Sequence, residues 1–292
     1  MHRRTFLSAL AVAFASGCVS HGSGIAVGSK NFTEQLILGE MLKQLLERAC
    51  RMPVEGRFYL AGTYICQQAI LAGRIDTYVE YTGTALAAIL KQPAEGDSAS
   101  VYQQVKQQYK QRFNLDVMLP LGFNNSFAMV MRPEEAHRMG VQSLSQLAPY
   151  APQLRLGVGY EFLERKDGYK GLVRTYNLRF ADAPRVMDLG LLYRALENKS
   201  VDIVAGNNTD GLITALGLVV LDDDRHYFPP YDAVPVVRPN LFEKCPESRG
   251  VFQSLAGRIT AAAMRAMNYA VDGQKRDAAA VARDFLDRIG LL

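Results

Sequence analysis

The sequence IAVGSKNFTEQLILGEMLKQL, residues 25–45, decides the fold, because it contains a short apolar strand, a polar turn and an amphipathic helix. The first four residues have the apolar character of a buried strand. Apolar residues then recur at helical spacing, for example at Ile37 and Met41. Asn31, followed three residues later by Glu34, predicts a capping box at the start of this helix.

The same alternation of strand and helix patterns continues along the chain. Strands are predicted at 54–60, 76–79, 115–119, 126–131, 154–158, 201–205, 219–220 and 234–237, and helices at 64–71, 84–90, 101–112, 133–139, 168–176, 189–197 and within 250–289. Alternation of this kind predicts an α/β fold with mostly parallel sheets. A length of 292 residues suggests about two domains, so we expect two lobes with a ligand cleft beyond the carboxyl ends of the strands.

Composition and motifs argue against nucleic-acid binding and catalysis. The net charge of +4 comes from scattered Lys and Arg residues rather than from a basic patch. Gly157-Val158-Gly159 begins like a dinucleotide loop, but Phe162 stands where the third glycine belongs. The acidic run 222–224 could bind a hard cation, although a solvated turn is the favoured interpretation. We therefore expect a protein that is not an enzyme and has neither cofactor nor metal.

The first residues, MHRRTFLSALAVAFASGC, are similar to a bacterial lipoprotein signal. Two arginines precede an apolar stretch that is too short to span a bilayer, and small residues lead into Cys18. We expect a signal peptide at 1–18, lipidation of Cys18 and a short tether at 19–24. An ordinary Sec signal with an incidental cysteine and a twin-arginine export route stay open. The expected location is the periplasm or the outer face of the cytoplasmic membrane, with a lipid anchor.

Three further cysteines remain: Cys50, Cys66 and Cys245. Export permits one disulfide and leaves one odd thiol. We predict a bridge between Cys50 and Cys66. The three lack the paired spacing of a zinc site.

Six segments, in order, resemble the osmoprotectant-binding proteins that serve glycine betaine, carnitine and choline ABC importers. They are VGSKNFTEQLILGEML (27–42), YVEYTGTAL (78–86), LGFNNSFAM (121–129), GVGYEFLERKDGYKGL (157–172), VDIVAGNNTDGLI (201–213) and LDDDRHYFPPYDAVPVVR (221–238). The resemblance implies a type 2 periplasmic-binding-protein fold, with lobe I at 25–123 plus 232–292 and lobe II at 124–231. It also implies an ABC permease and its ATPase as partners, and we expect a monomer.

Two cationic side chains stand where a ligand carboxylate could bind. Lys30 lies between a strand and a helix start, a position that favours an anion, although a solvated lysine is the alternative. The fork of Arg165 could hold a carboxylate bidentately, unless a nearby Glu or Asp (Glu161, Glu164 or Asp167) takes it as a salt bridge. By resemblance, Lys30, Thr84 and Arg165 bind the ligand's carboxylate.

Aromatic residues are the candidates for binding a quaternary ammonium, which has no N–H to donate. The resemblance assigns this role to Tyr81 and Tyr231. Phe127 and Asn207 align with positions where the family commonly has tyrosines, so one wall of the cage is missing. Asn125 adds an amide to the predicted cleft. Either glycine betaine binds weakly, or Asn207 hydrogen-bonds a more polar ligand.

The sequence therefore predicts an extracytoplasmic receptor for a small zwitterion. Glycine betaine is the leading ligand, and carnitine, choline and ergothioneine are alternatives. A sensory binding lobe is the alternative from another class. An exported hydrolase is disfavoured, because the predicted cleft offers no histidine to act as a base.

Overall fold

A computed structural model describes residues 24–93 and 96–292. The predicted signal peptide, Cys18 and residues 19–23 of the tether lie outside the described residues. The strands are β1 (Ile25–Gly28), β2 (Val54–Arg57), β3 (Thr77–Tyr81), β4 (Asp116–Val117), β5 (Phe127–Met131), β6 (Leu156–Val158), β7 (Arg185–Val186), β8 (Ile203–Asn207), β9 (Val219–Val220) and β10 (Ala233–Val237).

Helices lie between these strands and fill the C-terminal part of the chain. They are α1 (Thr33–Cys50), α2 (Thr63–Leu71), α3 (Thr82–Thr84), α4 (Ser98–Phe113), α5 (Pro133–Met139), α6 (Leu144–Leu147), α7 (Tyr160–Glu164), α8 (Tyr169–Tyr176), α9 (Leu192–Glu197), α10 (Gly211–Ala215), α11 (Pro239–Lys244), α12 (Ser248–Leu255), α13 (Ala261–Asp272) and α14 (Ala278–Arg288). A π-helical turn, Ala85–Ile89, extends α3, and 3₁₀ turns lie at Ala151–Gln153 and Leu189–Leu191.

The strands form two five-stranded sheets, one in each lobe. The lobe I sheet has the order β2-β1-β3-β10-β4, and the lobe II sheet has the order β7-β6-β8-β5-β9. The α/β expectation is confirmed. The expectation of mostly parallel sheets is wrong, because two of the four pairings in each sheet are antiparallel.

The antiparallel pairings follow from the two places where the chain passes between lobes. β5 begins just after the first crossing and β10 just after the second, and each pairs antiparallel with both of its neighbours. Asn124 and Asp232 form an isolated bridge between the two crossing segments. The two crossings thus run side by side, a geometry that suits a hinge.

Each lobe has its own apolar core. In lobe I, α1 packs against α13 and α14 beside the sheet, with Ile37, Leu38 and Leu46 almost fully buried. In lobe II, the buried residues include Leu156, Val158 and Leu172.

The predicted capping box is wrong. Helix α1 begins at Thr33 after Phe32, and no side chain caps it. The backbone N–H of Asn31 instead donates to the carbonyl oxygen of Ala61 at 2.8 Å. Glu34 turns into the interior, where other donors hold it.

The predicted disulfide is also wrong. Cys50, at the end of α1, is bonded to Cys245, which follows α11. Both cysteines are in lobe I, although 195 positions separate them in the sequence. Cys66 is a buried free thiol, and burial raises its pKa to about 12. Its thiolate is therefore strongly disfavoured at neutral pH.

Candidate ligand-binding site

A cavity of about 520 Å³ lies between the two lobes. Its size is within the usual range of small-molecule sites. All eight residues predicted to bind ligand line this one cavity: Lys30, Tyr81, Thr84, Asn125, Phe127, Arg165, Asn207 and Tyr231. Residues that are distant in sequence thus meet, because the loops after β1, β3, β6 and β8 all face the cleft.

Lys30 enters the cavity wall from lobe I, directly after β1. Only 3% of its surface is exposed, and its ammonium is paired with the buried Glu80 on β3. The ammonium also lies 5.0 Å from the centroid of the Tyr81 ring. Lys30 is therefore a buried, fixed cation rather than a solvated one.

Arg165 enters from lobe II, directly after α7. Its Nε donates to Asp167 at 2.9 Å and its Nη2 bonds the other oxygen of the same carboxylate. Tyr231 also donates its hydroxyl to Asp167, at 2.7 Å. The salt-bridge alternative for Arg165 is thus correct, with Asp167 as the partner, and Arg165 still lines the cavity.

Aromatic rings form a packed wall around Phe127. Its ring meets Phe162 edge-on at 4.9 Å and Tyr231 edge-on at 5.8 Å between centroids. Phe228 lies against the same cluster at 5.7 Å. The Arg165 guanidinium lies 4.9 Å from the Phe127 centroid, so the protein's own cation already occupies part of this aromatic surface.

Asn207 lies at the end of β8, directly opposite Phe127 in the β5–β8 pairing. Its backbone N–H donates to Asp210 at 2.8 Å. Asn207 also lines a second, smaller cavity of about 150 Å³, together with Glu34, Asp210 and Asp272. Burial raises the pKa of Asp210 to about 6.

The two threonines of α3, Thr82 and Thr84, have different surroundings. Thr84 lines the cavity, whereas the Thr82 hydroxyl donates to Pro230 and accepts from the N–H of Asp232. Thr82 therefore braces the second crossing segment.

Glu34 is the centre of a buried network that sequence reasoning did not identify. It accepts hydrogen bonds from the hydroxyls of Tyr81 and Thr209, each at 2.6 Å, and from the amide of Asn125 at 2.8 Å. Asn268 donates more weakly, at 3.3 Å. Burial raises the pKa of Glu34 to about 7, even though these donors favour the carboxylate.

Glu161 makes a direct bond between the lobes at the rim of the cavity. Its carboxylate, on α7 of lobe II, accepts from the backbone N–H of Thr63 at 2.6 Å. Thr63 is the first residue of α2 in lobe I, and the N-cap residue Gly62 has no side chain to cap that helix. A Cβ on Gly62 would lie 2.2 Å from the Glu161 oxygen, so glycine is required for this contact.

Other lining residues were missed because a lone apolar or aromatic side chain is also typical of core packing. Ile65, Tyr160, Met187 and Leu189 belong to this group.

The acidic run 222–224 stabilises the structure of lobe II. Asp223 accepts a hydrogen bond from the N–H of Phe228 at 2.8 Å, and Asp224 accepts one from the N–H of Ser145 at 3.1 Å. The interpretation of this run as a turn is favoured over a cation site.

Two α/β lobes, two chain crossings and a cleft lined from both sides are the architecture of a two-lobed binding protein that closes around a small ligand. The family model described as the substrate binding domain of ABC-type glycine betaine transport systems matches residues 23–288. The chain belongs to this family.

Curated relatives support the assignment. The chain is 33% identical over 300 residues to a glycine-betaine-binding protein of Pseudomonas aeruginosa, covering 99% of this chain and 95% of that protein. It is 32% identical over 283 residues to a carnitine transport binding protein of Listeria monocytogenes, covering 94% and 92%. An ergothioneine transport permease/binding protein of Helicobacter pylori is 34% identical over 268 residues, which are 91% of this chain but only 48% of that protein. The chain thus spans about half of the Helicobacter protein.

Solved structures agree on the fold. A glycine betaine/carnitine/choline ABC transporter structure superposes with a TM-score of 0.75 at 30% identity, covering 91% of this chain and 99% of that one. A lactococcal protein in a closed, liganded conformation has the same fold, with a TM-score of 0.59 at 13% identity.

The relatives are transport proteins, so this chain is a transport component and not an enzyme. Substrate-binding proteins of ABC importers work outside the cytoplasm. Within 24–93 and 96–292, no helix has the length and apolar character needed to cross a membrane.

Proposed function

We propose that this protein binds glycine betaine or a related quaternary-ammonium zwitterion and delivers it to an ABC permease. One observation carries the proposal: cations from opposite lobes, Lys30 and Arg165, line the same cavity as the aromatic rings of Tyr81, Phe127 and Tyr231. A zwitterion presents a carboxylate and a cationic head, and this cavity has groups suited to each.

The charges of the cavity favour a ligand with no net charge. Lys30 is neutralised by Glu80 and Arg165 by Asp167, so the two cations do not form an excess of positive charge. Both side chains still have N–H groups that are not used in these ion pairs. The Lys30 ammonium makes one of its three hydrogen bonds, to Glu80, and the Arg165 Nη1 group has no hydrogen-bond partner among the described residues. These free N–H groups would receive the ligand's carboxylate.

The aromatic surface supports a cage for the cationic head, although an incomplete one. Lys30 and Arg165 already lie over Tyr81 and Phe127, so a ligand cation would use the ring surface that these side chains leave uncovered. Each cation–π contact contributes roughly 0.5–2 kcal/mol. Glycine betaine is small for a cavity of about 520 Å³, which supports the larger carnitine and ergothioneine as competing ligands.

We further propose that Cys18 carries a lipid anchor and that the monomer works at the outer face of the membrane. Ligand contacts to both lobes would stabilise a closed form, which the permease recognises. The support is the signal-like sequence at 1–18 and the paired crossings at Asn124 and Asp232.

A thermal-shift screen of the mature chain tests the proposal. The panel contains glycine betaine, carnitine, choline and ergothioneine, with proline and arginine as zwitterionic or charged controls without a quaternary ammonium. We expect a quaternary-ammonium compound to raise the melting temperature most, by mass action on the folded state. A larger shift with a control, or no shift with any compound, would contradict the proposal.

A further inference from the structure

Asn125 lies where the segments that cross between the lobes meet the ligand cavity. Asn125 lies on the first crossing between the lobes, and its backbone N–H donates to the carbonyl oxygen of Tyr231 on the second crossing at 3.0 Å. Asn125 lines the cavity, yet only 6% of the residue is exposed. The side chain is thus held where the hinge and the ligand site meet.

The orientation of this amide is fixed by its neighbour. The Nδ2 group of Asn125 donates to the carboxylate of Glu34 at 2.8 Å. When Glu34 is ionised, the reverse orientation would place the amide oxygen against the carboxylate oxygen, and two acceptors repel each other. Tyr81 and Thr209 hold the carboxylate in place. The Asn125 oxygen must therefore point away from Glu34.

That oxygen, Oδ1, is buried and has no hydrogen-bond partner among the described residues. Buried polar groups in folded proteins are almost always paired, so an unpaired acceptor in a ligand cavity indicates a donor supplied by the ligand. Among the described residues, three other amide oxygens are buried without a hydrogen-bond partner, those of Gln44, Asn208 and Asn268, and none of these residues lines this cavity.

Glycine betaine cannot supply that donor. Its trimethylammonium group has no N–H and its carboxylate only accepts hydrogen bonds. A bound glycine betaine would leave Asn125 Oδ1 as a buried acceptor without a partner, which is energetically costly. Asn207, which stands where a cage tyrosine is expected, adds another amide to the same cavity.

We propose that the physiological ligand is a zwitterion that also carries an N–H or O–H group, and that this group donates to Asn125 Oδ1. This inference rests on the proposed function and selects among its ligands. It makes Asn125 a specificity-determining residue, because Asn125 favours ligands with a hydrogen-bond donor that glycine betaine lacks.

Matched ligand pairs test the inference. Carnitine and γ-butyrobetaine share the carboxylate, chain length and trimethylammonium group, and only carnitine has a hydroxyl. In N,N-dimethylglycine, an N–H replaces one of the three N-methyl groups of glycine betaine. Calorimetry is performed at pH 8, where Glu34 is ionised. We expect the donor-bearing member of at least one pair to bind about tenfold or more tightly.

The variant Asn125→Ala should reduce this preference to about twofold or less, chiefly by weakening the donor-bearing ligand. The control Asn208→Ala removes an amide outside the cavity and should keep the wild-type preference. Melting curves of both variants establish that they fold, and binding of the ligand without the donor establishes that the site is intact.

Equal affinities within both pairs would overturn the inference while leaving the proposed function in place. A preference that survives in Asn125→Ala would overturn the assignment to Asn125. Failure of every quaternary-ammonium zwitterion to bind would instead contradict the proposed function, and the inference with it.

Discussion

Glu161 should act as a latch between the lobes, because it caps a helix that has no cap of its own. Helix α2 of lobe I begins after Gly62, and its first N–H, from Thr63, donates to Glu161 of lobe II at 2.6 Å. The bond exists only when the lobes approach each other. Replacing Glu161 by alanine should therefore shift the protein toward an open form.

The size of the shift follows from two contributions. Loss of an N-cap acceptor costs about 1 kcal/mol, and loss of a carboxylate at a helix N-terminus costs about 0.3–1 kcal/mol at a partly exposed site. The sum, roughly 1–2 kcal/mol, corresponds to about a 5- to 30-fold change in the ratio of closed to open protein. Ligand affinity should weaken by a similar factor when the open form dominates without ligand.

Calorimetry with the tightest ligand of the screen measures this loss. If the closed form is instead well populated without ligand, small-angle scattering of the ligand-free protein measures the opening. Glu164→Ala is the matched control, since Glu164 lies on the same short helix and is exposed. Glu161→Gln keeps an acceptor but loses the charge, so its ligand affinity should lie between those of the wild type and Glu161→Ala.

Gly62→Ala provides a second test of the same contact. The added Cβ would lie 2.2 Å from the Glu161 oxygen, so this variant should also disfavour closure. In the Glu161→Ala background the clash disappears, so adding Gly62→Ala should then change ligand affinity little. Wild-type affinity and scattering for Glu161→Ala, or additive losses in the double variant, would refute the latch.

Three other predictions follow from the structure. Cys245→Ser should lower the free energy of unfolding by about 2–5 kcal/mol in urea titrations, because the bridge to Cys50 closes a loop of almost 200 residues; an unchanged value would contradict it. Glu34 has its pKa raised by burial from 4.5 to about 7, so the folded state holds its proton more tightly and stability should fall by up to about 3 kcal/mol as the pH rises from 4.5 to 7. Glu34→Gln should remove that contribution, and an identical pH slope in the variant would count against it. Cys18→Ala should move the protein from the membrane fraction to the soluble fraction, whereas an unchanged distribution would exclude a lipid anchor.

The order of strands and helices was predictable, because apolar periodicity is a local signal. The predicted helix at 133–139 coincides with α5 and the predicted strand at 219–220 with β9, and the other predicted boundaries differ by a few residues. The short elements β7, α6, α7, α10 and α11 were not predicted. The direction of strand pairing was not predictable from periodicity. It depends on β5 and β10, whose antiparallel pairing arises from the two crossings between lobes.

The wrong local predictions share one cause, which is a partner that is distant in sequence. Asn31 and Glu34 have the spacing of a capping box, but Tyr81 and Thr209 draw the Glu34 carboxylate into the interior. Cys50 pairs with a cysteine near the other end of lobe I, because α1 and α11 both pack into that core. Sequence spacing carries no information on either contact.

The cavity-lining residues could be predicted from sequence mainly through the ordered family motifs. Composition and periodicity place Lys30 and Arg165 in loops after strands, but they do not bring the loops together. The buried carboxylates that pair with these two cations were harder to predict. Asp167 was among the candidates for Arg165 because it is two residues away, whereas Glu80 was missed because it reaches Lys30 from a different strand.

Calorimetric titration of wild-type protein and Arg165→Ala with the quaternary-ammonium panel tests whether Arg165 holds the ligand's carboxylate. We expect one molecule bound per chain and an affinity loss of about 10- to 150-fold in the variant, because a charged hydrogen-bond partner contributes about 1.5–3 kcal/mol. Lys166→Ala, which removes the exposed neighbouring cation, should bind like the wild type. Equal affinity of Arg165→Ala and wild-type protein for the bound zwitterion would contradict the claim that cations from both lobes hold the ligand's carboxylate.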